Sequence, residues 1–293
     1  HSSIGAGRAK LNVSGPNAIR NWVNDRRRAI LWEADGTESS VGLSGENGLA
    51  FYLNGASDGN TKIDASTAVG LGMVSALLHP KPARVLVIGL GTGSSAGWLA
   101  QIDSITKVDV VELEPDILEV ARRCAPVNHN VMKDQKVRTI IADARELLLT
   151  WPEKYDLIVS EPSNPYRAGV ASLYTREFYQ AVAQRLTKGG IFSQWLQAYE
   201  VDTETTRTIL ATLASVFPKV ETWQTGPADI LLLCSMEEKP YSVSDLRKRL
   251  AEEPFHSAFL AAWGTSDLQG FLSHFVAQSL IANTEGLPEM ENK

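Results

Sequence analysis

The chain has 293 residues, 44% hydrophobic and 21% charged, with a formal net charge of −6. That is an ordinary globular composition, sized for one large α/β domain or a medium domain with a small one. The acidic balance gives no support to nucleic-acid binding, which needs a basic patch. No run reaches the ~18–20 apolar residues of a membrane span, and the start HSSIGAGRAK lacks a signal-peptide core. Neither Cys124 and Cys234 nor the five histidines show metal-ligand spacing, so no metal is expected. Two isolated cysteines fit a reducing compartment.

Residues 1–25 are polar and weakly patterned. Ala29–Asp35 reads as a short strand. Ser39–Gly55 holds two apolar runs around Glu46-Asn47-Gly48, and an Asn-Gly pair between such runs is a hairpin signal. A small antiparallel β unit is therefore expected at about 26–60. Ala65–Leu78 reads as a helix, ended by His79–Pro82.

From Arg84 the pattern alternates. Val85–Gly89, Val108–Leu113, Val137–Ala142, Tyr155–Ser160 and Gly189–Leu196 read as strands buried on both faces. Helical stretches such as Asp116–Cys124 and Thr175–Leu186 lie between them. Parallel strands need such crossovers. The expected fold class is α/β, a doubly wound, mostly parallel sheet with its ligand crevice at the carboxyl ends of the strands. After a helix at about 202–217, Val220–Thr225 and Ile230–Ser235 predict an antiparallel hairpin at the sheet edge. Residues 241–282 read as mostly helical. The division expected is a β-rich unit with a linking helix over 1–80 and a nucleoside-binding domain over 81–293.

Val85–Gly97 is a strand, a glycine-rich turn and a helix start. Gly89, Gly91 and Gly93 permit a tight turn and close approach to a ligand. Glu112 ends the next strand, 21 residues after Gly91, where a carboxylate can accept ribose hydroxyls. Asp143 ends the third strand, in a position suited to an adenine edge. Gly91–Ala96 also matches a dinucleotide fingerprint if the strand runs on to Leu90; a strand ending at Ile88 argues against it. Glu161-Pro162-Ser163-Asn164-Pro165 follows the fourth strand, where two prolines fix a loop carrying a carboxylate and an amide. Gln194, Trp195, Gln197 and Tyr199 follow the fifth strand and are candidates for a pocket wall, although Trp195 reads equally well as core and Tyr199 as surface.

RVLVIGLGTG, VDVVELEPDILEVAR, YDLIVSEPSNP, SLYTREFY and RLTKGGIFSQW together resemble the spermidine synthase family, in particular bacterial synthase-like domains with an EPSNP-type loop that are often fused to membrane-spanning segments. The resemblance implies a sheet of the S-adenosylmethionine-dependent methyltransferase type. It implies aminopropyl transfer from decarboxylated S-adenosylmethionine, as co-substrate, to a small amine such as putrescine. It assigns Gly89, Gly91, Gly93, Glu112 and Asp143 to the nucleoside site and aligns Glu161 with the family's proton-accepting aspartate; by position, Thr92, Ala144 and Ser163 are expected beside the nucleoside, and Asn164 and Tyr199 beside Glu161 in catalysis. Gln194, Trp195 and Asp58 fall to the amine substrate. A cytoplasmic homo-oligomer, with a membrane tether outside this chain in the full-length protein, is the matching expectation.

The chain departs from that family at three places. Thr92 stands where the glycine loop usually has an aspartate, Asn164 replaces the second acid of the later loop, and Ile63–Gly72 shows no tyrosine-led pair. Asp58, Asp64 or Glu200 are candidates to compensate. Two alternatives stay open: an enzyme using intact S-adenosylmethionine, for methyl transfer or sulfonium cleavage, and a non-catalytic nucleoside-binding domain.

Overall fold

A computed structural model describes residues 14–278 except 46, 164, 166–168, 199–200 and 239. Helix α1 (Ala18–Ala29) opens it, followed by strands β1 (Ile30–Asp35), β2 (Ser40–Ser44), β3 (Ala50–Leu53) and β4 (Ala56–Asn60). The four strands pair antiparallel in that order. Asn47-Gly48 and Asn54-Gly55 make the two turns flanking β3, with φ of 55°, 100°, 50° and 78°. Asparagine and glycine enter this left-handed region at least cost. Helix α1 was not visible in the sequence, because no residue of it is buried and Ile19 points to solvent. Its few apolar positions, Ile19, Trp22 and Val23, sit among charged residues, so the segment reads as polar overall. Strand β4, Ala-Ser-Asp-Gly-Asn, gave no signal for a similar reason.

Helix α2 (Ala65–Leu78) is buried on every side from Val69 to Leu78. At its far end the Arg249 guanidinium donates to the carbonyls of Ala76, Leu77 and His79, satisfying groups a helix terminus leaves unpaired. The larger sheet then follows: β5 (Arg84–Ile88), α3 (Ser94–Ala100), β6 (Lys107–Glu112), α4 (Ile117–Arg123), β7 (Val137–Ile141), α5 (Ala144–Thr150), β8 (Tyr155–Ser160), α6 (Arg176–Arg185), β9 (Leu186–Gln197) and α7 (Thr203–Ala214). It ends with β10 (Lys219–Gly226), β11 (Asp229–Ser235), α8 (Val243–Leu250), α9 (Phe255–Trp263), α10 (Leu268–Leu272) and β12 (Phe275–Gln278).

The strand order is β12-β10-β11-β9-β8-β5-β6-β7. Strands β5 to β9 are parallel, as expected of a doubly wound sheet. One face is covered by α2, α3, α4, α8, α9 and α10, the other by α5, α6 and α7. The β10–β11 hairpin forms as expected but is not the edge. Strand β12 pairs outside β10, and Phe275 packs edge-on to Trp223 at 5.3 Å. Four residues are too few to announce a strand after three helices. Both cysteines are buried and unpaired. Among the described residues no helix is long and apolar enough to cross a membrane.

The sheet reverses direction between β5 and β8, so the loops following them face each other across a crevice. Tight packing holds this point. A Cβ on Gly97 of α3 would lie 2.0 Å from the Asn128 carbonyl oxygen. Gly97→Ala should therefore lower unfolding stability by about 2–3 kcal/mol, despite alanine's better helix propensity. Denaturant titration checks this; a variant as stable as the parent would contradict the contact.

Candidate active site

A cavity of about 850 Å³ opens at the carboxyl ends of β5, β6, β7 and β8, with β3, β4 and the start of α2 forming its other wall. Strand β5 stops at Ile88, so Gly89–Gly93 is the turn and the dinucleotide alignment fails. Gly89 has φ 91°, and a Cβ there would sit 3.0 Å from the Glu161 carbonyl oxygen. Gly93 has φ 79°, and its Cβ would lie 2.7 Å from a Val131 methyl. Only glycine fits both demands. Asn128, not foreseen from the sequence, is fully buried. Its amide donates to the carbonyls of Thr92 and Ala121, each at 2.8 Å. It pins the loop from behind. The Thr92 hydroxyl lies 3.0 Å from that of Ser94.

Glu112 stands at the end of β6. It accepts from the backbone N–H groups of Leu90, Leu113 and Glu114 at 2.8, 2.8 and 3.0 Å. Burial pushes its carboxyl above the usual value, against those three bonds. A carboxylate has about four lone-pair sites, so one remains for a ligand hydroxyl. Glu114 is a second buried acid that the sequence reading missed. It accepts from Glu38 N–H at 2.8 Å, Ser39 N–H at 3.0 Å and Asp116 N–H at 3.1 Å. These bonds tie the β1–β2 turn to the large sheet and bring Glu38 and Ser39 to the cavity. A single acid before a proline carries no periodicity that would mark it.

Asp143, Ala144 and Arg145 also line the cavity. Asp143 caps α5 by accepting from Arg145 N–H at 2.8 Å. Both its oxygens accept from the Arg145 guanidinium, which holds the carboxyl below the usual range. Arg145 in turn donates to the Ser172 hydroxyl at 2.9 Å. The expected acid is thus on the wall, already engaged by a guanidinium that its spacing alone did not announce.

The loop after β8 begins where Glu161 N–H donates to the Ile88 carbonyl at 2.9 Å. Its side chain lies 3.0 Å from the Ser95 hydroxyl. Burial pushes the Glu161 carboxyl up to about 8, the Ser95 bond opposes this, and the charges of Asp64, Asp58 and Glu112 add to the rise. The Ser163 hydroxyl donates to Asp58 at 2.7 Å, joining this loop to β4. Asp58 and Asp64 face the same cavity. Asn164, Tyr199 and Glu200 lie outside the described residues.

Trp195 is partly exposed on the cavity wall, and its indole N–H donates to Asp229 at 2.9 Å. Gln194 corrects the sequence reading. It is fully buried, accepts from the Tyr179 hydroxyl at 2.7 Å and donates to the Leu173 carbonyl at 2.9 Å. Neighbouring strand residues point to opposite faces, so Trp195 and Gln194 cannot both reach the cavity. Gln197 is also buried and does not line it.

The family model described as the spermine/spermidine synthase domain matches residues 69–226, more than half the chain. The chain belongs to the spermine/spermidine synthase family. It is 28% identical over 176 residues to a polyamine aminopropyltransferase of Lachnospira eligens, covering 58% of this chain and 61% of that protein. Another such protein, from Thermotoga maritima, is 29% identical over 146 residues, covering 50% and 49%. The chain thus spans only part of the length of these relatives. A crystal structure of a spermidine synthase with the transition-state analogue AdoDATO superposes with a TM-score of 0.69 at 21% identity, covering 81% of this chain and 85% of the other. That likeness is one of fold, and it agrees with the methyltransferase-type sheet.

In this family member, Glu114→Ala would leave three backbone N–H groups without their acceptor. A loss of about 3 kcal/mol in unfolding stability is expected as the β1–β2 turn detaches. Chemical denaturation checks this; unchanged stability would contradict this role.

Proposed function

We propose that the chain transfers the aminopropyl group of decarboxylated S-adenosylmethionine to a small amine such as putrescine. One observation carries the reading: the glycine loop with Glu112 and the three carboxylates Asp58, Asp64 and Glu161 line a single cavity. The donor's nucleoside would lie against Gly89–Gly93, its ribose on the free lone pair of Glu112, and its adenine beside Asp143 and Ala144. A sulfonium and a diamine are both cationic, and the acids opposite the loop suit them. Asp58 and Asp64 would supply charge that Thr92 does not.

The attacking nitrogen must first lose a proton, and Glu161 is the acceptor in this reading. The freed lone pair forms an N–C bond at the propyl carbon next to sulfur. The C–S bond breaks and its electron pair returns to sulfur. Methylthioadenosine leaves neutral, and the product nitrogen carries the positive charge. A cytoplasmic homo-oligomer belongs with this reading and rests on the family resemblance alone. Thr92 favours one second reading. A hydroxyl there would repel the carboxylate of intact S-adenosylmethionine less than an aspartate would, admitting that molecule as donor.

Calorimetric titration should show tighter binding of the decarboxylated donor; tighter binding of the intact one would select the second reading. With the Glu161 carboxyl near 8, kcat/KM should rise with pH through that region, since this ratio reports the free enzyme. Glu161→Gln should abolish turnover while leaving donor binding within a few-fold. A variant with full activity would remove Glu161 as the base. Stability carries the opposite sign. A carboxyl raised in the folded state stabilises below its unfolded value of about 4.5, and that contribution is lost as pH climbs through about 8. The melting temperature of the parent should therefore fall relative to Glu161→Gln between those pH values.

A further inference from the structure

The Ser95 hydroxyl has two acceptors within reach, the Glu161 carboxyl at 3.0 Å and the Ala68 carbonyl of α2 at 2.6 Å. One hydroxyl carries one hydrogen and two lone pairs, so it cannot donate to both at once. The close pair is built into the helix packing. A Cβ on Gly72 would come within 3.4 Å of the Ser95 carbonyl and 2.9 Å of a Leu99 methyl. Glycine at that point lets α2 approach α3 closely enough for Ser95 to reach Ala68. Ser95 itself is only 2% exposed, so water cannot readily replace its hydroxyl.

We propose that Ser95 is a positioning residue for the candidate base, its hydroxyl turning between Ala68 and Glu161 as the carboxyl gains and loses a proton. With Glu161 protonated, the acid O–H donates to Ser95 Oγ, and Ser95 donates to the Ala68 carbonyl. With Glu161 ionised, the Ser95 hydrogen turns to the carboxylate. The Ala68 carbonyl keeps its place in the helix ladder throughout. The bond between Ser95 Oγ and Glu161 Oε2 persists in both states with its direction reversed, so the carboxyl can exchange a proton without moving. The other titratable groups acting on Glu161 are Asp58 from β4, Asp64 at the start of α2 and Glu112 from β6. All three are acids that disfavour its ionised form, which leaves Ser95 as the group that supports it. The proposal rests on Glu161 being the base of the transfer described above.

The test follows the Glu161 carboxyl directly, by carbon NMR of protein labelled at glutamate carboxyls, with Glu161→Gln assigning the signal. In Ser95→Ala the titration should move up by about one pH unit, and the acid limb of kcat/KM should move with it. Ser95→Thr, which keeps the hydroxyl, should titrate like the parent. Donor affinity above pH 9 should stay within twofold in Ser95→Ala. A Ser95→Ala signal that titrates like the parent overturns the proposal. So does a loss of donor affinity at high pH, which would make Ser95 a packing residue. Should the parent form no polyamine, the transfer reading fails, while the carboxyl titration still decides the role of Ser95.

Discussion

The contact between Gly89 and the Glu161 backbone organises the rest of the molecule. Strands β5 and β8 are neighbours at the reversal of the sheet, and their loops leave on the same side. Glu161 N–H bonds the Ile88 carbonyl, and a side chain on Gly89 would be strained by its φ of 91° and crowd the Glu161 carbonyl oxygen at 3.0 Å. The glycine loop and the candidate base are therefore held side by side by backbone. Everything else completes the cavity around that pair: Asn128 behind the loop, Glu114 fastening the small sheet, and β4 bringing Asp58 across.

The acids around this cavity have different fates, and the difference is informative. Glu112 and Glu114 are each satisfied by three backbone N–H groups. Asp143 is held by Arg145. Asp64 accepts from Asn60 N–H at 2.8 Å, and Asp58 from Ser163. Glu161 has a hydroxyl shared with a carbonyl. The acid with the weakest support for its charge is the one whose carboxyl is raised most clearly. A carboxyl poised in this way, inside a cleft, is a common mark of a proton-transfer group. The same geometry that builds the fold thus separates acids with settled donors from the reactive candidate.

Much of this was legible in the chain. Apolar runs marked β5, β6 and β8, because strands covered on both faces need mostly apolar side chains; β7 was also found, but it is the sheet edge and none of its residues is buried. The glycine turn, Glu112, Asp143 and the Glu161 loop follow strand ends, where a doubly wound sheet puts its crevice. Other features left no local trace. Helix α1 has no buried stripe, and β12 is four residues long. Glu114, Asn128 and Ser95 act through partners distant in sequence, which no spacing rule reveals. Gln194 was misplaced because adjacent residues of a strand were both assigned to one face.

The most direct test of the central claim follows the products of a single reaction. Purified protein would be given decarboxylated S-adenosylmethionine labelled in its propyl carbons, with putrescine, and the mixture resolved by mass spectrometry. The account predicts methylthioadenosine and a labelled polyamine in equal amounts. Methylthioadenosine without labelled polyamine, or no turnover of a donor that binds, would contradict it.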